Sequence, residues 1–333
     1  MECEKKGDKN DAALSICTDK GYFKFKLESR TMRLPLLNRS SAWGYLLRRS
    51  ISRFEDAPCK VEKLENRSLI KVYGAEASSF LQGLITNDMR HLEEGALSMY
   101  CMFLNTKGRV IFDSIIYAES KESFLVECDK KAEAVLKKHL TMYKVRRKIG
   151  IETCDYPVLA AFGASVEEGV KALAKENSSL VICRDPRIKE LGFRILLKGG
   201  EHPHCTSGDY KMLRMSLGVG EGIEELPSGN CFPLEANCDY LHGVSFHKGC
   251  YIGQELTART HHTGVVRKRL MPVFFEPTQK LPAFDSPITD PSGKNVGKLR
   301  AGGGRGSKEP SVNKETTPLH LGSCHLICAN LSQ

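Results

Sequence analysis

The 333-residue chain has no Cys-x-x-Cys pair, although it contains thirteen cysteines. Their odd number and scattered spacing, with no secretory signal peptide, favour a reducing compartment over a disulfide scaffold. Most of these thiols are read as small core residues. No apolar run reaches the roughly 18 residues of a transmembrane helix, so no membrane partner is expected. Regular strand–helix–strand crossover lengths are missing as well, which favours α+β over a doubly wound sheet. Between Met32 and Phe54 there is no acidic residue.

That acid-free stretch holds Arg33, Arg39, Arg48, Arg49 and Arg53 among several serines. This is the composition of a mitochondrial transit peptide. Residues 1–31 are mixed in charge and read as an extension upstream of a start at Met32. The formal charge of +9 is uneven: residues 1–54 hold twelve Lys/Arg and six Asp/Glu, leaving only +3 for the rest. Lys144, Arg146, Arg147 and Lys148 are read as a solvated strand edge. Neither they nor Arg267-Lys268-Arg269 are interleaved with stacking aromatics, so no nucleic-acid partner is expected.

Period-two alternation predicts strands at 68–73, 97–104, 109–117, 124–127, 145–152, 158–162, 180–183 and 193–197. Helical spacing predicts helices at 74–84, 129–142, 166–174 and 210–217. Gly218-Val219-Gly220-Glu221-Gly222 follows a helix rather than a strand, which excludes a dinucleotide loop. After Arg269 the texture becomes all-β, with strands at 270–275 and 296–300 joined by a turn at 290–294. The divisions expected are an N-terminal extension (1–54), a first α+β unit (55–156), a second (157–268), a partial β-barrel (269–300) and a divergent tail (301–333).

The chemistry concentrates in Lys248-Gly249-Cys250-Tyr251-Ile252-Gly253-Gln254-Glu255. Gly249 and Gly253 would let the backbone approach a ligand or another strand. Lys248 beside Cys250 would favour the thiolate, and Gln254 would fix the loop. Glu255 and Arg259 are spaced to pair on a helix. His261 and His262 are read as surface histidines, since neither has placeable co-ligands. Taken alone, Cys250 reads as a buried structural thiol, the commoner place of a free cysteine.

This motif resembles the signature of the glycine-cleavage T-protein and folate-binding YgfZ superfamily. Further support comes from Gly74-Ala75-Glu76, the run Phe80 to Asp88, Asn105-Thr106-Lys107-Gly108-Arg109, Pro233-Leu234-Glu235, and Gly243 to Arg269. Within that superfamily the chain looks most like the mitochondrial assembly factors for [4Fe-4S] proteins. The resemblance covers about residues 60–300. It implies an aminomethyltransferase-like fold, with two α+β units around a central channel and a small C-terminal β-barrel. Here the barrel is expected to be incomplete, because the apolar pattern fails after Ala301.

The resemblance also implies a matrix location and a non-enzymatic role. Cys250 would ligate a cluster shared with an A-type iron–sulfur carrier, because one thiolate cannot satisfy an iron site. A folate pocket would use Asp113 and Arg214 for tetrahydrofolate. The alternative is a tetrahydrofolate-dependent aminomethyltransferase-like enzyme. Ser216 stands where the T-protein pattern has a carboxylate, which weakens that alternative.

Overall fold

The computed structural model describes residues 59–199, 203, 205, 209–274, 285–289 and 295–303, with strand backbones also at 17–19, 22–27, 30–35 and 324–330. Residues 36–58, most of the segment read as a transit peptide, lie outside them. So does the turn expected at 290–294. Strands β1 (Cys17–Asp19), β2 (Tyr22–Leu27) and β3 (Arg30–Pro35) form an antiparallel sheet in that order.

The body is built on two antiparallel sheets. The first combines β5 (Arg67–Tyr73), β6 (Ser98–Leu104), β7 (Val110–Ser120), β8 (Ser123–Asp129) and β9 (Gly150–Cys154), in the order β6-β7-β8-β5-β9. The second combines β4 (Lys60–Lys63), β10 (Val158–Phe162), β11 (Leu180–Arg184) and β12 (Phe193–Leu197), in the order β11-β12-β10-β4.

Alternation along each strand assigns its two faces. On β6, Met99, Cys101 and Phe103 pack with the helices α1 (Ala77–Gln82), α2 (Arg90–Glu93) and α3 (Glu133–Lys144). The interleaved Tyr100, Met102 and Leu104 face the other way. On β10, Val158, Ala160 and Phe162 join that inner cluster. Its Leu159 and Ala161 pack instead against α4 (Val166–Glu176). The result is four layers, helix–sheet–sheet–helix, with a shared core between the sheets.

Charge sits inside that core. Arg67, Asp113, Glu127 and Arg194 occupy inner-facing positions on β5, β7, β8 and β12, and all are buried. Arg67 donates to Glu127 at 2.7 Å and to Asp113 at 3.3 Å. Arg194 donates to Glu221 and lies 3.7 Å from Glu127. Arg187 bridges Asp185 and Glu221 at 2.7 Å each. Burial alone would push the Glu221 carboxyl up, but the guanidiniums of Arg194, Arg187, Arg67 and Arg214 hold it well below the usual range.

Two expectations need correction. The strand expected at 145–152 begins only at Gly150. Val145 has φ +48°, so the chain leaves α3 through a left-handed residue and a turn at 144–149 before it can pair with β5. The apolar segment at 319–331, read as part of a divergent tail, supplies β16 (Cys324–Asn330). It pairs with both β13 (Lys268–Phe274) and β15 (Asn295–Gly303). With β14 (Pro287–Thr289) the order is β13-β16-β15-β14, and β13 does not pair with β14.

Removing Arg194 strips a buried guanidinium from Glu221 and Glu127. Arg194→Ala is expected to lower unfolding free energy by about 3–5 kcal/mol in urea titrations. Arg184→Ala, which breaks an exposed pair with Glu167, should cost at most about 1 kcal/mol.

Candidate functional site

The Cys250 loop rests on the segment that follows α1. Lys248 Nζ donates to three backbone carbonyls, Gln82 at 2.8 Å, Ile85 at 2.7 Å and Asn87 at 2.6 Å. Ile252 N donates to Gly83 O at 3.1 Å. Gln254 Oε1 accepts from Tyr251 N at 3.2 Å. Just upstream, Thr86 Oγ1 donates to Gly243 O at 2.6 Å, and Asn87 Nδ2 donates to His242 O at 2.8 Å. Asp88 anchors the segment from the other side. Arg90 holds its carboxyl down at about 2.

A second contact fixes the loop's end. Gly253 has φ +79°, and a Cβ there would lie 2.3 Å from Asn105 O. Gly108, in the β6–β7 turn, has φ +72°, and its Cβ would lie 2.9 Å from Gly253 O. The two glycines therefore face each other, one from each motif, and α6 (Gln254–Thr263) starts directly after. Neither position admits a side chain without moving backbone.

Cys250 itself is exposed. A Cβ on the neighbouring Gly249 would meet nothing within 4 Å, so the close approach expected there is not made by a described residue. Cys101, Cys128, Cys183, Cys231 and Cys238 are buried, and burial pushes all five thiols up, Cys128 and Cys231 to about 12. Cys205 is the other exposed thiol among the described residues. No group of three or more His, Cys, Asp or Glu among those residues could hold a metal ion.

Lys248, expected to favour the Cys250 thiolate, is engaged with backbone on the other segment. Its three protons are spent on carbonyls, its ammonium lies 4.9 Å from the Tyr251 ring, and its charge acts on Cys101 and Asp88. Burial pushes its pKa down to about 8, which still leaves it protonated at neutral pH. Glu255 and Arg259, expected to pair, stand exposed on α6 and make no ion pair with a described residue; an exposed pair of this kind gains little. His261 stacks on Phe246 with centroids 3.5 Å apart, and His262 meets it edge-on.

Asp113 and Arg214 are both drawn into the buried layer, away from Cys250's surface. Asp113 accepts from Gly222 N at 2.9 Å and from Arg67, while burial pushes its carboxyl up. Arg214 clamps Glu225 with two nitrogens and donates to Val219 O at 2.7 Å. Ser216 Oγ donates to Leu213 O within α5 (Tyr210–Ser216). A pterin would find these groups already engaged, so the set does not fit folate as it stands. A cavity of about 370 Å³ lies at the layer's edge, with Arg214, Glu221 and Glu225 in its wall.

Sequence reasoning passed over Arg67, Glu127, Asp185, Arg187, Arg194 and Glu221. The signal was present: Glu127 in SFLVECD and Arg194 in FRILL are charges at inward positions of otherwise apolar strands.

Residues 63–184 match the GCVT N-terminal domain, and residues 267–306 the CAF17 C-terminal beta-barrel domain. Over 284 residues the chain is 40% identical to the mitochondrial iron-sulfur cluster assembly factor IBA57 of Homo sapiens, spanning 78% of this chain and 79% of the human protein. This chain belongs to the IBA57 family. A Dictyostelium discoideum homolog with the same description is 34% identical over 273 residues, 70% of this chain and 67% of that protein. The crystal structure of the glycine cleavage system aminomethyltransferase T from Bartonella henselae superposes with a TM-score of 0.62. It covers 93% of this chain and 87% of that one at 15% identity, which shows the shared aminomethyltransferase fold.

If Lys248 is a staple and not an activator, Lys248→Met should lower the melting temperature. The pH profile of Cys250 alkylation by iodoacetamide should stay where it is. A profile moved to higher pH in the variant would restore the activating role.

Proposed function

We propose that this chain is a mitochondrial matrix factor for assembling iron–sulfur clusters, with Cys250 as one ligand of a cluster shared with a partner. The observation that carries the reading is Cys250 itself: an exposed thiol on a loop whose backbone is fixed on both sides. Thiolates are the usual cluster ligands, and each iron needs four. A lone thiol on a fixed loop therefore suits a half-site. The open space beside Gly249 leaves room for the other half. A carrier of the A type, with cysteines of its own, is the partner this chemistry calls for. The cluster is cargo, and the chain supplies position and one thiolate, with no reaction of its own.

The relatives are named as mitochondrial iron-sulfur cluster assembly factors, which supports the compartment and the cargo. Maturation of [4Fe-4S] proteins is the process we assign. Anaerobic reconstitution with an A-type carrier, followed by gel filtration and visible absorption, tests the ligand. The wild-type chain should co-elute with the carrier as a coloured complex. Cys250→Ser, with an unchanged melting curve, should give colourless separate peaks. A coloured complex in the variant would remove Cys250 from the ligand set.

The competing reading is a tetrahydrofolate-dependent transferase. Its strongest support is the aminomethyltransferase fold. Against it stand the engaged Asp113 and Arg214 and the inward-turned Ser216. Isothermal titration with tetrahydrofolate is expected to give no binding heat. Saturable micromolar binding, lost in Asp113→Asn, would bring the folate pocket back.

A further inference from the structure

Helix α3 and the turn after it carry charge that neither the buried layer nor the Cys250 loop uses. Residues 130–148 hold eight Lys/Arg against one acid, Glu133, in a chain of +9 overall. Three of these cations are engaged: Lys131 with Glu224, Lys137 with Thr153, and Arg147 with Ser79 and, at 3.9 Å, Glu76. Lys130, Lys138, Lys144, Arg146 and Lys148 make no ion pair with a described residue, and all but the half-buried Lys144 are exposed.

Aliphatic side chains stand out among them. Val135 is 59% exposed, Met142 62% and Val145 79%. Val135, Lys138 and Met142 share one face of α3 by their spacing. Val145 sits at φ +48° and ψ −109°, a conformation that a β-branched residue adopts only under strain. That strained residue presents its side chain to solvent, between Lys144 on one side and Arg146, Arg147 and Lys148 on the other.

We propose that this face adsorbs to an anionic phospholipid bilayer, with the cations on headgroup phosphates and Met142 and Val145 at the acyl boundary. The proposal stands independently of the role given to Cys250. Charge complementarity selects an anionic partner, and the aliphatic tips select a lipid one. An RNA surface would call for exposed stacking rings. The aromatic residue here, Tyr143, instead leans at a tilt against His139, centroids 4.8 Å apart, and His139 packs on Phe103 and Phe112. Aliphatic tips spaced between cations suit a headgroup layer that can reshape around them. Among the described residues no helix is long and apolar enough to cross a membrane, and adsorption needs none.

The face is tied to the Cys250 loop through α1. Glu76 and Ser79, at its start, hold Lys148 N and Arg147. The carbonyls of Gln82 and Gly83, at its end, hold Lys248 and Ile252 N. Six residues of helix span about 9 Å.

The test is co-sedimentation of the full chain with phosphatidylcholine vesicles, with or without a fifth of anionic phospholipid. The chain should pellet only with anionic vesicles, and less so as salt is raised. Each cation near the surface contributes roughly fivefold in partitioning. Arg146→Glu with Lys148→Glu should therefore lose about 25-fold or more. Val145→Ser with Met142→Ser should lose about tenfold at unchanged net charge. All four side chains are exposed, so melting curves should match wild type. Equal pelleting with neutral vesicles, none with anionic ones, or wild-type pelleting of the charge-reversed variant would overturn the proposal. Capture by single-stranded RNA or polyglutamate without vesicle binding would reassign the face to another acidic partner and overturn it too.

Discussion

Glu221 accepts from Arg187 and Arg194 and lies 3.7 Å from Arg214. Through those three guanidiniums one carboxylate ties the loop after α5 to the second sheet, to the Asp185–Arg187 turn and to α5. Its neighbour Gly222 donates to Asp113 on the first sheet. An ionic centre of this kind does little for net stability compared with a well-packed apolar one, because desolvation offsets the Coulomb gain. What it supplies is selectivity of arrangement. Slipping either sheet by one residue would turn charges into the helix-facing cores and leave them unpaired there.

The aminomethyltransferase architecture is kept here, and its interior holds a buried ionic layer in which Asp113, Glu127, Glu221 and Glu225 are paired with Arg67, Arg187, Arg194 and Arg214. The exposed Cys250 lies at the surface, where the 243–253 loop is pinned by Lys248, Thr86 and Asn87 and by the contact of Gly108 with Gly253. Interior and surface share the first sheet: β6 and β7 carry the turn that receives Gly253, and β7 carries Asp113.

Much of this was legible in the residues. The strands at 158–162 and 193–197 lie where alternation put them, and the helix at 210–217 ends within a residue of its predicted limit. The KGCYIGQE motif was visible for the same reason it matters, since its glycines and lysine serve no packing pattern. What stayed hidden depends on contacts distant in sequence. Nothing near Lys248 announces that carbonyls more than 160 residues earlier will take its protons. The β-strand at 324–330 was obscured because its partners are supplied by β13 and β15, beyond a polar stretch that breaks the pattern. The left-handed Val145 was missed because a valine ordinarily argues for extended backbone.

The burial of the other cysteines has a bearing on iron traffic. Thirteen thiols would make most chains a sink for stray metal. Metal ligation needs the thiolate, and burial holds Cys101, Cys128, Cys183, Cys231 and Cys238 in the protonated form. Those five thiols are thereby withheld from metal while the core is folded, and unfolding would release them together. The stability of the two-sheet core therefore also sets how many of the chain's thiols are open to metal.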